Sequence, residues 1–396
     1  MTIHLVDILV CVLYSFGMNI HKQRGGMDMI WEKLSTDLFI IAEAGKNFIQ
    51  TEEDRSVEEY LANAKQLVDE AAAAGVDAVK WQTHNVEDEQ LDIDVTAPHF
   101  KGSDRYSWVT RNTNATPFEA FWKPLKAYCD KKGIYFLSTP MSRGAAKMLD
   151  SVGMQFWKIG SGDILDFVML DYMRESGKPI IISSGMSTLE EVKRAVAFLR
   201  EKNDKVALLH CVSQYPCPPE ELRLPTIELY KEIFQMPIGF SDHSLSFDSV
   251  ETAVALGATI IEKHFSMDRE LYGADHKVSF TPGEFKELVD RAHAAYESGS
   301  RKKAVLASDF AKRAQTAPRE KCLQEGESAF RPLFRKSLMA GHDMSVGTVL
   351  TKDVLYAMRP QQYAGGLPSE EYESVLGKTI TKALKKYDPI TKDIIV

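Results

Sequence analysis

Two histidines offer the most specific chemistry in this sequence. His243 follows Ser241-Asp242 at the end of an apolar run, Pro237–Phe240 (PIGF), and His264 ends another, Thr259–His264 (TIIEKH). Adjacent strands lie ~4.8 Å apart, so imidazoles at the ends of neighbouring strands can share one divalent ion. Two protein nitrogens leave positions open for water and substrate, as a catalytic rather than a closed structural site requires. The alternative is a pair of satisfied rim histidines. Lys80 sits inside the apolar run AVKWQ, where an ammonium must reach a polar mouth or bear a large desolvation cost. Lys158 lies in WKIGSGD. Its glycines let backbone N–H groups approach a ligand, so Lys158 and Ser161 can hold a phosphate; a tight turn with a solvated lysine is the plainer reading. Glu43 ends LFIIAE and is a candidate general base or support for a metal, or else an ion-pair partner of Lys80 or Lys158. Gln82, Thr139, Ser183, His210 and Lys263 also close apolar runs; Leu208, Leu209 and Cys211 around His210 mark it as a packed histidine. Cations, hydroxyls, two histidines and few acids suit a phosphate-bearing anion together with a divalent metal.

These residues need a scaffold that brings strand ends together. Eight short β-rich runs recur from residue 38: Leu38–Glu43, Ala78–Gln82, Ile134–Thr139, Gln155–Ile159, Pro179–Ser183, Val206–His210, Pro237–Phe240 and Thr259–His264. Helical patterns separate them. In 56–74, Val57, Tyr60, Leu61, Ala64, Leu67, Val68 and Ala71 form one face. Capping boxes are expected at Ser56–Glu59, Thr116–Glu119 (with Pro117), Ser187–Glu190 and Thr281–Glu284. Eight alternating units predict an α/β fold of the (β/α)8 TIM-barrel type, with a doubly wound open sheet as the alternative. In a barrel the carboxyl ends of the strands surround one mouth, and catalysis sits there. Residues 83–115 are too long for an ordinary connection and read as a lid or binding loop. The expected organisation is an extension over 1–36 (with the folded protein starting near Met27 or Met29), a barrel over 37–299, a linker over 300–330 and a small β-rich module over 331–396.

Composition narrows the partners. With 48 basic and 56 acidic residues the chain carries a formal charge of −8, which argues against non-specific nucleic-acid binding. Its 44% hydrophobic and 26% charged content is that of a globular protein, not a disordered or fibrous one. Five scattered cysteines without a CxxC pair fit a reducing cytoplasm. The apolar stretch 3–20 is interrupted by Asp7 and has its basic residues after it, unlike a signal peptide or a span of ~20 apolar residues.

Taken in order, FIIAEAGKN, DAVKWQTHNVEDE, FLSTPMSR, WKIGSGD, KPIIISSGM, LLHCVSQYP, GFSDHS, ATIIEKHF and YAMRP resemble the sialic acid synthase family over about 39–390. These are phosphoenolpyruvate-dependent nonulosonate synthases with a barrel and a C-terminal antifreeze-like (SAF) module. The resemblance implies condensation of phosphoenolpyruvate with an N-acylated hexosamine such as N-acetylmannosamine, with release of phosphate by C–O cleavage. It implies His243 and His264 as ligands of a divalent metal, Mn2+ first, with Mg2+ or Co2+ as alternatives. It makes Glu43 the catalytic glutamate and assigns Lys80, Thr139, Lys158, Ser161, Ser183 and Ser213 to phosphoenolpyruvate. It gives Asp163, Tyr215 and Asp275 contacts to sugar or metal-bound water. Arg359 becomes the arginine that the small module of one subunit inserts into its partner's site, so a domain-swapped homodimer is expected.

Two positions depart from the family pattern. Asn47-Phe48-Ile49-Gln50 replaces the usual Asn-His-x-Gly, and Asp163 stands where some members carry glutamate. The motif set is closer to N-acetylneuraminate synthases than to pseudaminate synthases, and N,N'-diacetyllegionaminate synthases remain close. More distant alternatives are a Schiff-base aldolase using Lys80 or Lys158 and a non-catalytic carbohydrate-binding paralogue.

Overall fold

The computed structural model describes residues 26–95 and 104–396. Eight parallel strands form one sheet in the order β3-β2-β1-β8-β7-β6-β5-β4. They are β1 (Phe39–Gly45), β2 (Ala78–Thr83), β3 (Tyr135–Pro140), β4 (Trp157–Ile159), β5 (Ile180–Ser183), β6 (Val206–Cys211), β7 (Ile238–Asp242) and β8 (Ile260–His264). The two ends of that order, β3 and β4, lie side by side and complete the TIM barrel. All eight expected runs are strands. Each is buried along nearly its whole length, as parallel strands covered by helices on one side and a packed interior on the other must be.

Helices follow the strands in alternation, from Val57–Ala74 after β1 to Pro282–Glu297 after β8. Thr281 and Glu284 form the expected reciprocal capping box, with Pro282 in the first turn. Ser56 caps its helix through the Glu59 N–H alone. The box expected at Ser187–Glu190 forms one residue later, at Thr188–Glu191, because Ser187 donates instead to the Gly185 carbonyl. Thr116 does not cap the helix after it: it is the C-cap of the preceding helix Arg105–Ala115, and its hydroxyl donates to Asn112 O. Residues 83–115 are therefore not a structureless loop, since they hold that helix and a turn of helix at Val86–Glu89.

A helix over 26–36 buries Ile30 and Leu34 in the barrel core, so this part of the expected extension packs against the fold. The question of where the folded protein starts extends to residues 1–25, which lie outside the described residues. After Pro282–Glu297, helices Gly299–Ala307 and Asp309–Ala314 continue along the barrel wall. The chain then returns to the mouth and enters a small module built on antiparallel β9 (Ser337–Ala340) and β10 (Leu355–Met358). The module docks on the barrel of its own chain. Arg143 donates to the carbonyls of Lys352 and Leu355, Ser369 Oγ donates to Leu165 O at 2.8 Å, and Arg174 pairs with Glu373 at 2.7 Å.

Candidate active site

Register places the first charged groups. Glu43 in β1 lies opposite Lys80 in β2 on one side and His264 in β8 on the other. All three are buried. Lys80 Nζ sits 2.6 Å from Glu43 Oε2 and 3.7 Å from Glu262 Oε1, and donates to Thr139 Oγ1 at 3.1 Å. Lys158 Nζ lies 3.2 Å from the same Glu262 oxygen, and Gln82 Nε2 donates to Glu43 Oε1 at 2.8 Å. Two ammonium groups and two carboxylates thus share one buried polar centre. Burial raises the Glu43 carboxyl above its ordinary value, and Lys80 only partly opposes this. Burial would raise Glu262 too, but Lys158 and Lys80 together hold it at about 2. Two carboxyl groups pushed apart in this way divide acid–base work: Glu43 can take up and release a proton, while Glu262 stays ionised.

His243 and His264 meet beside this centre, with ring centroids 5.5 Å apart. His243 donates through Nδ1 to the Val212 carbonyl at 2.7 Å, which fixes the tautomer and leaves Nε2 as a lone-pair donor. His264 Nδ1 is buried without a hydrogen-bond partner among the described residues. Burial pulls the His264 imidazole down to about 4, against the field of Asp275, so it is neutral at physiological pH, as a ligand must be. Among the described residues no cluster of three or more His, Cys, Asp or Glu side chains surrounds one point. The donor set therefore fits an ion that completes its coordination with water and substrate, not a closed structural site. The Tyr215 ring, half exposed, covers the pair, 4.1 Å from His243 and 5.9 Å from His264. Asp275 lies 4.0 Å from Lys46; burial would raise its carboxyl, but Lys46, His264, His276 and His243 hold it below the usual range.

The hydroxyls gather on the other side of the mouth. Ser161 Oγ accepts from Gly185 N at 3.1 Å and contacts Cys211 Sγ at 3.4 Å, and Ser213 Oγ lies 3.9 Å from the same sulfur. Ser183 Oγ is buried and has no hydrogen-bond partner among the described residues. Arg359 is fully buried and pairs with Asp163, which also receives Lys336 at 2.9 Å. Backbone bonds from Arg359 N to Glu89 O and from Leu91 N to Arg359 O, both 2.9 Å, stitch this arginine to the loop after β2. The structure thus delivers Arg359 within one chain, where the resemblance implied delivery to a partner: residues 315–336 are long enough to return the module to its own barrel. Asp163 is engaged by two cations instead of standing free toward a sugar.

Other expectations change. Lys263 points away from the mouth and is held by Asp242 at 2.5 Å and the Ser244 carbonyl at 2.7 Å, where it anchors the turn bearing His243. His210 is a packed histidine, bonded to Leu222 O at 2.7 Å and stacked on Phe240. Phe48, in place of the family histidine, is buried against Tyr60, Trp81 and Phe121, so the departure makes this loop an apolar anchor. Sequence reasoning missed Glu262, Lys46 and Lys336. Glu262 shares the inward face of β8 with His264 by the period of two, a signal that scanning strand ends alone passes over. Lys46 donates to Gln82 at 2.8 Å and lies 4.0 Å over the Trp108 ring. Lys336 lies just before β9, and nothing in its local pattern points to the barrel mouth.

A sequence profile of the NeuB family matches residues 67–304, and one of the SAF domain matches 335–396. The chain is 32% identical over 359 residues to N,N'-diacetyllegionaminic acid synthase of Campylobacter jejuni, covering 88% of this chain and 97% of that protein. It is 29% identical over 362 residues to N-acetylneuraminate-9-phosphate synthase of Homo sapiens, covering 90% and 92%. The crystal structure of the spore coat polysaccharide biosynthesis protein spsE from Bacillus subtilis matches with a TM-score of 0.73 and 31% identity, over 91% of this chain and 95% of that one.

Proposed function

The chain belongs to the NeuB family, and we propose that it condenses phosphoenolpyruvate with an N-acylated hexosamine, N-acetylmannosamine first, to give N-acetylneuraminate or a related nonulosonic acid and phosphate. One observation carries this reading: a converging imidazole pair beside a buried centre in which Lys80 and Lys158 are balanced by one proton-accepting and one ionised carboxylate. A doubly anionic enol ester fits such a place because the two ammonium groups are preorganised to meet its carboxylate and phosphate. A divalent ion on His243 and His264, Mn2+ or alternatively Mg2+ or Co2+, would supply Lewis acidity toward the sugar's aldehyde oxygen.

The chain's own residues do the rest. Lys80, Thr139 and Lys158 hold the phosphoenolpyruvate carboxylate end, while Ser161, Ser183 and Ser213 hold the phosphate. Ser183 offers a buried hydroxyl that only a ligand would satisfy. C3 of phosphoenolpyruvate forms the new bond to C1 of the open-chain sugar. Positive charge develops at C2, water adds there, and the C2–O bond breaks with its electrons leaving on phosphate. Glu43, with its raised carboxyl, positions that water and accepts its proton. Asp275 and Tyr215 border the sugar, and Arg359, oriented by Asp163, faces the acyl end. A lysine imine is the weaker alternative, since both candidate Nζ atoms are engaged by carboxylates and Lys80 is held above its ordinary value by Glu262 and Glu43 despite burial. N,N'-diacetyllegionaminate or pseudaminate synthesis differs only in the acyl sugar.

Two copies exchanging the C-terminal module would build the same Arg359–Asp163 contact between chains, and a swapped homodimer is part of the proposal. A cytoplasmic setting suits the free Cys129, Cys211, Cys217 and Cys322. Among the described residues no helix is long and apolar enough to cross a membrane. The test is phosphate release from phosphoenolpyruvate against a panel of mannosamine- and bacillosamine-derived sugars, with the product identified by mass. Sugar-dependent release supports the reading. Borohydride trapping of pyruvate on Lys80 or Lys158, without such release, overturns it.

A further inference from the structure

Residues 321–335, between the barrel wall and the module, do more than connect. Glu327 is fully buried, and its Oε1 accepts the backbone N–H groups of Met186 at 2.7 Å and Ser213 at 2.9 Å. Lys321, also buried, lies 3.6 Å from Glu327 Oε2 and donates to the Cys211 carbonyl at 3.2 Å. Arg335 is buried as well. Its guanidinium donates to the carbonyls of Ser161 (3.1 Å), Gly162 (3.3 Å) and Met186 (2.7 Å) and to Ser187 Oγ (2.9 Å). One carboxylate and one guanidinium therefore tie together the loops after β4, β5 and β6; the first and third carry Ser161 and Ser213, and the second follows Ser183, the last residue of β5.

The middle loop needs such ties. Met186 has φ of +53°, a left-handed conformation that a side chain-bearing residue holds only when its surroundings impose it. Glu327 takes its N–H and Arg335 its carbonyl. Beside it, Gly185 is so tightly enclosed that a Cβ there would lie 2.2 Å from Ser213 Oγ and 2.6 Å from Ser161 Oγ. The loop cannot shift without moving both hydroxyls. Burying two charged groups is unfavourable unless they are hydrogen-bonded, and a mere tether would need neither; both terminal nitrogens of Arg335 are bonded, and its Nε alone has no partner among the described residues.

We propose that Glu327 and Arg335 are positioning residues for the phosphate end of phosphoenolpyruvate: they lock the loops after β4, β5 and β6 into one cradle around Ser161, Ser183 and Ser213. This rests on the reading that the serines hold the phosphate.

The test uses the full chain with a saturating divalent metal, titrating phosphoenolpyruvate at equilibrium and measuring KM for N-acetylmannosamine by phosphate release. Arg335→Lys keeps the charge but cannot span three carbonyls. It should weaken phosphoenolpyruvate binding by about tenfold or more while leaving the sugar KM and the thermal midpoint near those of the parent. Glu327→Gln tests the other tie and serves if Arg335→Lys does not fold. Unchanged phosphoenolpyruvate affinity in a folded variant, or equal weakening of both substrates, overturns the proposal. Ser161→Ala run in parallel separates the two failures. If it too leaves phosphoenolpyruvate binding unchanged, the serine reading falls and the positioning role with it; if it alone weakens binding, only the positioning role falls.

Discussion

At the scale of single residues the decisive feature is the split between Glu43 and Glu262. Acting as a base, Glu43 must lose its proton, so kcat/KM should rise with pH through a value above the usual carboxylate range, because burial raises that carboxyl. Glu43→Gln should remove this acidic limb and cut kcat by about 10²–10⁴-fold, measured as a pH–rate profile. Lys46, which burial lowers to about 8, loses its charge as pH rises through that value. Lys46→Met should therefore flatten any alkaline fall centred there. Glu43 and Lys80 were legible in the sequence because each breaks an apolar run at a place where burial without purpose is costly. Glu262 was not, since one more carboxylate before Lys263-His264 looks like surface charge until the strand's alternation is traced inward. Nor was the pairing of Asp163 with Lys336, which depends on a fold-back of the chain that no local pattern announces.

At the scale of elements, β7 and β8 must stay in register for the histidines to converge. Gly239 in β7 permits this: a Cβ there would stand 2.2 Å from the Ile260 carbonyl oxygen. Gly239→Ala should destabilise the fold by about 1–3 kcal/mol, read from denaturant unfolding, and should weaken metal binding by parting the two strands. His264→Ala should abolish tight Mn2+ binding, followed by the resonance of the free ion, while the folded signal in circular dichroism persists. The strands themselves were legible because parallel barrel strands are short, apolar and closed by a polar residue. Loops were read less well for a physical reason. Hydroxyl caps have rival partners: Thr116 turns back to Asn112 and Ser187 to Gly185, and only the folded backbone decides between them.

At the scale of the molecule, the barrel and the module meet at the candidate site, where Arg359 pairs with Asp163. Arg359 reaches it within the chain in this structure, and the same surfaces would serve between two chains. Arg359→Ala should reduce turnover and raise the sugar KM without unfolding the protein. Mixing it with Glu43→Ala in verified dimers should restore part of the activity if modules are exchanged, and none if each chain completes its own site. The two-part architecture was legible from the loss of β/α rhythm after residue 300. The docking of the module was not, because it depends on long-range pairs such as Arg174–Glu373 and Ser369–Leu165 that leave no periodic trace. The most direct measurement follows phosphoenolpyruvate labelled with 18O in its ester bridge, incubated with N-acetylmannosamine and Mn2+. The account predicts sugar-dependent release of phosphate that carries the label, lost on chelation and in His264→Ala. Label retained in the organic product, or no phosphate with any N-acylated hexosamine offered, would contradict it.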